Sequence, residues 1–314
     1  MSAADLVNPI FNDPIAARSH LELLRWSGGR FCPHCGESGR TSSVKSKAHE
    51  GLYYCNSCEK TFTVLVGTVF ERSHIPVNKW LLAFHLMNSS KKGISAHQLH
   101  RMLGITYKSA WFMAHRIREA MRDDGSSGPL GGTGKIIEAD EAYVGPSPSE
   151  FRDGKWHRKQ GIGGKIAVVS LVERGGRART LKVDSMKRKD VEPFVRANVN
   201  KGSRFMTDEA PMYRVIAEDF ASHETVNHHK KEYARGDVTT NTVEGFFSIF
   251  KRGMRGVYQH CGEQHLQRYL NEFDFRYSHR IACGYSDAER AEIAIKGAEG
   301  KRLTYRQPRG SEAA

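Results

Sequence analysis

The chain has 314 residues, 39% hydrophobic and 26% charged. That is enough apolar material for packed cores at an ordinary charge content, so a wholly disordered chain is excluded. Lys and Arg number 48 against 35 Asp and Glu, a formal charge of +13. A small acidic metabolite needs no such excess, whereas a polyanion does, and this points to nucleic acid. The longest apolar stretches, such as 167–172, fall short of the ~18 residues a membrane-crossing helix requires. The N-terminus has no basic start followed by an apolar run. The expected location is a reducing cytoplasm, with no membrane partner.

At roughly 150 residues per domain the length predicts about two domains. Residues 1–75 open the chain with Cys32-Pro33-His34-Cys35 and, after 19 intervening residues, Cys55-Asn56-Ser57-Cys58. Two residues between cysteines let one tight turn present two sulfurs to one tetrahedral Zn²⁺. Strand-like flanks at 52–54 and 61–64 complete the pattern of a zinc ribbon. Four cysteines close the coordination sphere, so one Zn²⁺ is expected in a structural role, with His34 a bystander. Cys261 and Cys283 lack the spacing of a second site.

Residues 76–122 read as helices. Trp80, Leu81, Phe84 and Met87 recur at helical spacing. Ser95 is placed to cap a second helix, Gly104-Ile105-Thr106 makes a turn, and Thr106 is placed to cap a third. Helix, glycine-containing turn and helix form the helix-turn-helix pattern. Ala110, Ala114, Ile117 and Met121 line one side of the third helix. Its other side is expected to present Lys108, Ser109, Phe112, His115 and Arg116 to DNA.

Residues 123–134 have the composition of a flexible linker. Residues 135–280 then alternate strand and helix patterns, predicting an α/β domain, and 281–314 are expected to be a C-terminal tail. The run 135–144 is a strand carrying acids, with Glu138 and Asp140 on one face and Glu141 on the other. Acids inside a strand are costly unless paired or coordinating metal. Further strands are predicted at 165–172, 180–183 and 203–208, the last ending in Asp208, with helices at 188–198 and 210–220. In the helix from Asn241, Val243, Phe246, Phe247 and Phe250 share one side, while Glu244, Ser248 and Lys251 share the other. An acid within a first strand, another ending a later strand and a third on a following helix can converge on two divalent cations. Such a pair supports in-line phosphoryl displacement. His228 and His229 are assigned no metal role, and 266–275 read as a core helix.

Taken together, these motifs resemble the bacterial insertion-sequence transposases of the DDE type, in the zinc-ribbon group called ISXO-like. The likeness runs over 25–280. It rests on the cysteine pairs, Cys58-Glu59-Lys60-Thr61-Phe62 with Gly67-Thr68-Val69-Phe70-Glu71, 137–145, Thr207-Asp208, and Asn241-Thr242-Val243-Glu244 through Lys251-Arg252.

The resemblance implies an RNase H-like catalytic fold, a mixed sheet flanked by helices, preceded by the ribbon and the helix-turn-helix segment. It implies two catalytic Mg²⁺ or Mn²⁺ ions held by Asp140, Asp208 and Glu244. Lys251 resembles the basic residue that accompanies the triad glutamate at the DNA end. Glu138, on the same strand face, is the alternative to Asp140. The partners implied are double-stranded DNA, as element ends and target, and further copies of the chain in a synaptic assembly. Phosphate contacts are expected from Arg252 and Arg255, and from a basic loop with Arg152, Lys155, Arg158, Lys159 and Lys165. The implied reaction is cleavage at the element end followed by transfer of the 3′-OH to target DNA. A non-catalytic DNA-binding regulator and an RNase H-like nuclease without strand transfer are the competing readings.

Overall fold

The computed structural model describes residues 6–45, 50–145, 149–152, 155–158, 164–230 and 232–304. They divide into two compact units, Met1–Arg122 with Tyr285–Ala314, and Asp123–Gly284.

The first unit opens with α1 (Pro9–Asn12) and α2 (Pro14–Arg25). Asp13 accepts from the backbone of Ile15 and Ala16, satisfying amides that have no partner within α2. The strands β1 (Thr41–Ser43), β2 (Tyr53–Cys55) and β3 (Lys60–Phe62) form an antiparallel ribbon. Next come α3 (Val77–Ser89), α4 (Ala96–Leu103) and α5 (Tyr107–Ala120). The boundaries follow the local chemistry. Ser95 accepts from Gln98 N, Gly104 ends α4 at φ 57°, and Thr106 accepts from Ser109 N to start α5. That glycine takes a left-handed conformation which other residues adopt at a cost.

The second unit is built on β4 (Ile136–Val144). The strands β5 (Ser149–Arg152) and β6 (Lys155–Arg158) make an antiparallel hairpin, so part of the expected basic loop is strand. Lys159 lies outside the described residues, and the hairpin is described as backbone. Further along are β7 (Ile166–Glu173), β8 (Ala178–Val183), α6 (Arg188–Asn198), β9 (Arg204–Thr207), α7 (Met212–Ile216) and β10 (Ser222–Thr225). A short hairpin, β11 (Ala234–Arg235) and β12 (Val238–Thr239), leads into α8 (Asn241–Gly253), a π-helical turn at Met254–Tyr258, and α9 (Leu266–Ser278).

The five-stranded sheet has the order β10-β9-β4-β7-β8. β7 runs antiparallel to both of its neighbours, while β4, β9 and β10 are parallel. One face buries Ile137, Ala139, Val169, Leu171 and Phe205 with α6 and α7. The other buries Ala142, Val168 and Val172 with Val243, Phe246, Phe247 and Phe250 of α8 and Leu266, Leu270 and Phe273 of α9. A mixed sheet with β4 at its centre and helices on both faces is the RNase H-like arrangement.

The last helix, α10 (Asp287–Lys296), lies in the stretch expected to be a tail. It belongs to the first unit and packs on α3 and α5. Ser286 and Glu289 form a reciprocal cap at its start. Buried Arg290 donates to Asn88 O at 2.6 Å. A side chain at Gly297 would place its Cβ 2.5 Å from the Ala120 carbonyl oxygen, so only glycine permits this approach.

Candidate active site

The cysteine cluster is formed as its spacing implies. Cys32 Sγ lies 3.7 Å from Cys58 Sγ, and Cys35 Sγ 3.7 Å from Cys55 Sγ. Four sulfurs held about 2.3 Å from a tetrahedral zinc are separated by about 3.8 Å, so the donors fit the ion. His34 Nε2 is 3.3 Å from the Thr61 carbonyl oxygen, consistent with a bystander. The ribbon's small core is Tyr53 and Phe62 beside Cys32 and Cys55.

Asp140 lies mid-strand on β4, opposite Ser170 of β7. Asp208 follows the last residue of β9 and accepts from Ala210 N at 3.0 Å. Carboxylate oxygens of Asp140, Glu141 and Asp208 lie within 4.8 Å of one another. Burial pushes Asp140 up to about 6, and the charges of Asp208 and Glu244 add to the shift, while Glu141 N–H and Lys251 oppose it. Burial likewise pushes Glu141 up to about 7, reinforced by Asp208 and Asp140. Half-buried carboxylates that crowd until two resist ionisation form a hard-oxygen donor set short of positive charge. That set suits a divalent cation.

Glu244 stands in the first turn of α8 and accepts from Thr240 Oγ1 at 2.8 Å. It does not share the tight cluster. It lines a cleft of about 400 Å³ with Asp140, Phe247, Ser248, Lys251, Arg252 and Arg255. Asp140 is common to both, and the cleft brings two acids and three cations together.

Glu138 takes no part in either group. It is fully buried, and its carboxylate accepts from Thr242 N, Val243 N and Arg174 at 2.7 to 3.0 Å. Alternation does point Glu141 away from Asp140, as the sequence implies. Because Asp208 sits at the end of the neighbouring strand, a carboxylate from either face of β4 reaches it. Tyr213 of α7 then holds Glu141 there, with its hydroxyl 3.3 Å from Oε2.

His228 was also missed as a site neighbour. It lies in a 3-10 turn, with Nε2 3.6 Å from Glu244 Oε1. Position between Asp208 and Glu244 in the chain was the one available signal for it.

The DNA-facing assignment in α5 needs correction. Lys108 is exposed, but His115 is fully buried and Arg116 nearly so. The Arg116 guanidinium lies 4.9 Å from the centre of the Phe112 ring and its Nε donates to Leu303 O. The open surface is at the start of α5 and on α4, where Arg101, Met102, Tyr107 and Lys108 are exposed and His97 stacks on Tyr107.

The fold and its two centres define a class: a four-cysteine ribbon joined to an RNase H-like domain with clustered carboxylates. Comparison with known proteins gives the family. Residues 129–278 match the ISXO2-like transposase domain and 15–61 the transposase zinc-ribbon domain. The chain belongs to the zinc-ribbon, ISXO2-like group of insertion-sequence transposases. A relative described as an uncharacterized protein in transposable element ISH50 of Halobacterium salinarum is 27% identical over 277 residues, spanning 83% of this chain and 89% of that protein. Two solved structures, a pre-cleavage Mos1 transpososome and the mariner Mos1 paired end complex with Mg, align at TM-scores of 0.28 and 0.25. Each is 12% identical and covers 67% of this chain and 75% of its own.

Proposed function

We propose that this transposase cuts DNA at the ends of its insertion sequence and joins the freed 3′-OH to target DNA, using the carboxylates around Asp140. The observation that carries the reading is the meeting of Asp140, Glu141 and Asp208 beside a cleft lined by Glu244 and Lys251.

Asp140 and Asp208, with Glu244 and Glu141 beside them, would hold Mg²⁺ or Mn²⁺. Such ions supply charge stabilisation at the attacking and leaving oxygens of an in-line displacement. In the first step a water oxygen bonds to phosphorus and the bond to the element's 3′ oxygen breaks, leaving a 3′-OH and a 5′-phosphate. In the second, that 3′-OH oxygen bonds to a target phosphorus, and the target's own 3′ oxygen leaves. One phosphodiester replaces another, so no external energy source enters. Lys251, Arg252 and Arg255 line the cleft on the side where a phosphate backbone would lie, and their charge holds it. The exposed start of α5 with Lys108 engages the duplex.

The test is strand transfer with labelled element-end duplex, plasmid target and Mg²⁺, beside Asp140→Ala and Glu244→Ala. Joined product from wild type alone supports the reading. Binding without cutting, in Mg²⁺ and in Mn²⁺, moves it to a DNA-binding regulator. Cutting without joining moves it to a nuclease.

A further inference from the structure

We propose that the ion pair of buried Glu138 with partly exposed Arg174 is a positioning device that sets the mutual spacing of Asp140, Asp208 and Glu244. It rests on the carboxylate-site reading above and names what holds that site in register.

Five donors converge on the Glu138 carboxylate. Arg174 Nε and Nη2 donate to Oε1 at 2.9 and 2.7 Å, and Thr242 Oγ1 donates to the same oxygen at 2.8 Å. The backbone amides of Thr242 and Val243 donate to Oε2 at 2.7 and 3.0 Å. These amides belong to the first turn of α8, where no intrahelical acceptor exists. The residue at the cap position, Thr240, makes no side-chain capping bond, and its hydroxyl donates to Glu244 instead. Glu138 therefore caps α8 from a different element.

The placement is what makes this a spacing device. Glu138 stands two residues before Asp140 on the same face of β4, and the amides it holds immediately precede Glu244. Arg174, just beyond β7, also donates to Asp237 O at 2.9 Å and Thr239 O at 3.3 Å, in the segment that delivers α8. Its Nη2 lies 3.4 Å from Met206 Sδ, two residues before Asp208. One ion pair thus touches all three acid-bearing elements.

Stability alone gives little reason for a buried charge here, since apolar residues of similar volume commonly pack as well or better. The phenylalanines of α8 already fix how closely the helix approaches the sheet. The directional bonds that Glu138 accepts from the first turn of α8 add a constraint on its rotation and slide, which decide where the Glu244 carboxylate falls relative to Asp140.

The test uses the full-length, zinc-loaded protein, with Mn²⁺ as the probe and binding read by electron paramagnetic resonance. The variants are Glu138→Gln, Thr242→Val and, as reference, Asp208→Asn. Each is also measured for thermal midpoint and element-end binding. Wild type is expected to bind Mn²⁺, and Asp208→Asn to lose that binding. Glu138→Gln should weaken it at least tenfold and Thr242→Val several-fold, with end binding unchanged. Half-saturating Mn²⁺ for cleavage should rise by the same factors, so that excess Mn²⁺ partly restores turnover. Wild-type Mn²⁺ affinity in Glu138→Gln overturns the proposal. So does a collapsed thermal midpoint in Glu138→Gln with unchanged Mn²⁺ affinity in Thr242→Val, which would mark the pair as structural only. Undiminished Mn²⁺ binding by Asp208→Asn instead removes the site reading itself.

Discussion

The Tyr213 hydroxyl donates to Glu141 Oε2 at 3.3 Å, and this bond draws an acid from the opposite face of β4 into the company of Asp140 and Asp208. Tyr213 is fully buried, so its position is set by the α6–α7 core. Glu141 thereby adds a carboxylate to the site without standing on the face that meets α8. The expected result is graded. Asp140→Ala and Asp208→Asn should abolish cleavage while leaving DNA binding and folding intact. Glu141→Gln should lower Mg²⁺-supported cleavage about tenfold to a hundredfold, equivalent to roughly 1.4 to 2.8 kcal/mol of barrier. Single-turnover cleavage with prebound DNA measures this directly. Full activity in Glu141→Gln would make its place in the cluster incidental.

Burial separates the basic residues of α5 into two kinds. Lys108 at its start is exposed, as is Arg101 on the preceding α4, whereas Arg116 is enclosed against Phe112 and Leu303. Lys108→Ala should weaken binding to element-end DNA and reduce the dependence of log affinity on log salt by about one. Arg116→Ala should leave that slope unchanged and cost about 1–3 kcal/mol of stability, through the lost ring contact and an unsatisfied carbonyl. Binding titrations at several salt concentrations, paired with urea unfolding, distinguish the two. A reduced salt slope in Arg116→Ala would contradict this assignment.

The difference between those two residues shows where the sequence stops being legible. Helical periodicity identifies one apolar side of α5, and Ala110, Ala114 and Ile117 are indeed buried. It does not reveal that residues beyond 286, far along the chain, cover more of that helix. The alternating run at β4, the acid closing β9 and the two-sided α8 were readable because each is a local pattern with a period. Glu141 and His228 were not, because their places depend on which strand end or turn stands beside them. Glu138 was readable as an acid inside a strand and as the alternative to Asp140, but its partner Arg174 is 36 residues away and no local rule connects the two.

Metal removal should act on the ribbon first. Its core is four side chains, two of them ligands, too small to fold without cross-links. Trp26 packs edge-on against Tyr53 and Phe62, at centroid distances of 5.3 and 6.1 Å. Chelation of zinc should therefore expose Trp26 and shift its emission to the red, and re-addition of Zn²⁺ should reverse this. A Trp26→Phe control assigns the signal among the four tryptophans. Unchanged Trp26 emission after complete zinc loss would mean that the ribbon holds its shape without the ion.

The sheet's far edge carries a pH-dependent element unrelated to catalysis. Asp274 of α9 accepts from Thr180 N and Thr180 Oγ1, each at 2.7 Å, and Thr180 Oγ1 lies 2.8 Å from Ser170 Oγ. Burial pushes the Asp274 carboxyl up to about 7, although the Thr180 bonds and Arg179 pull the other way. The folded value thus lies above the ordinary 3.8. Between the two, the folded protein holds a proton that the unfolded chain has released. Stability from this group is therefore greatest below about pH 4 and falls as pH rises to about 7, by at most about 1.4 kcal/mol per pH unit. Above that it is constant. In Asp274→Asn, the amide oxygen accepts from Thr180 N and the amide nitrogen donates to Thr180 Oγ1, whose hydroxyl turns to Ser170. Every group stays bonded and nothing titrates. Urea unfolding of the 123–284 unit, followed from pH 4 to pH 8, should give a flatter profile for the variant. The gain relative to wild type should grow with pH and then level off above about 7. Parallel profiles would show that the carboxyl ionises as readily in the folded protein as in the unfolded chain.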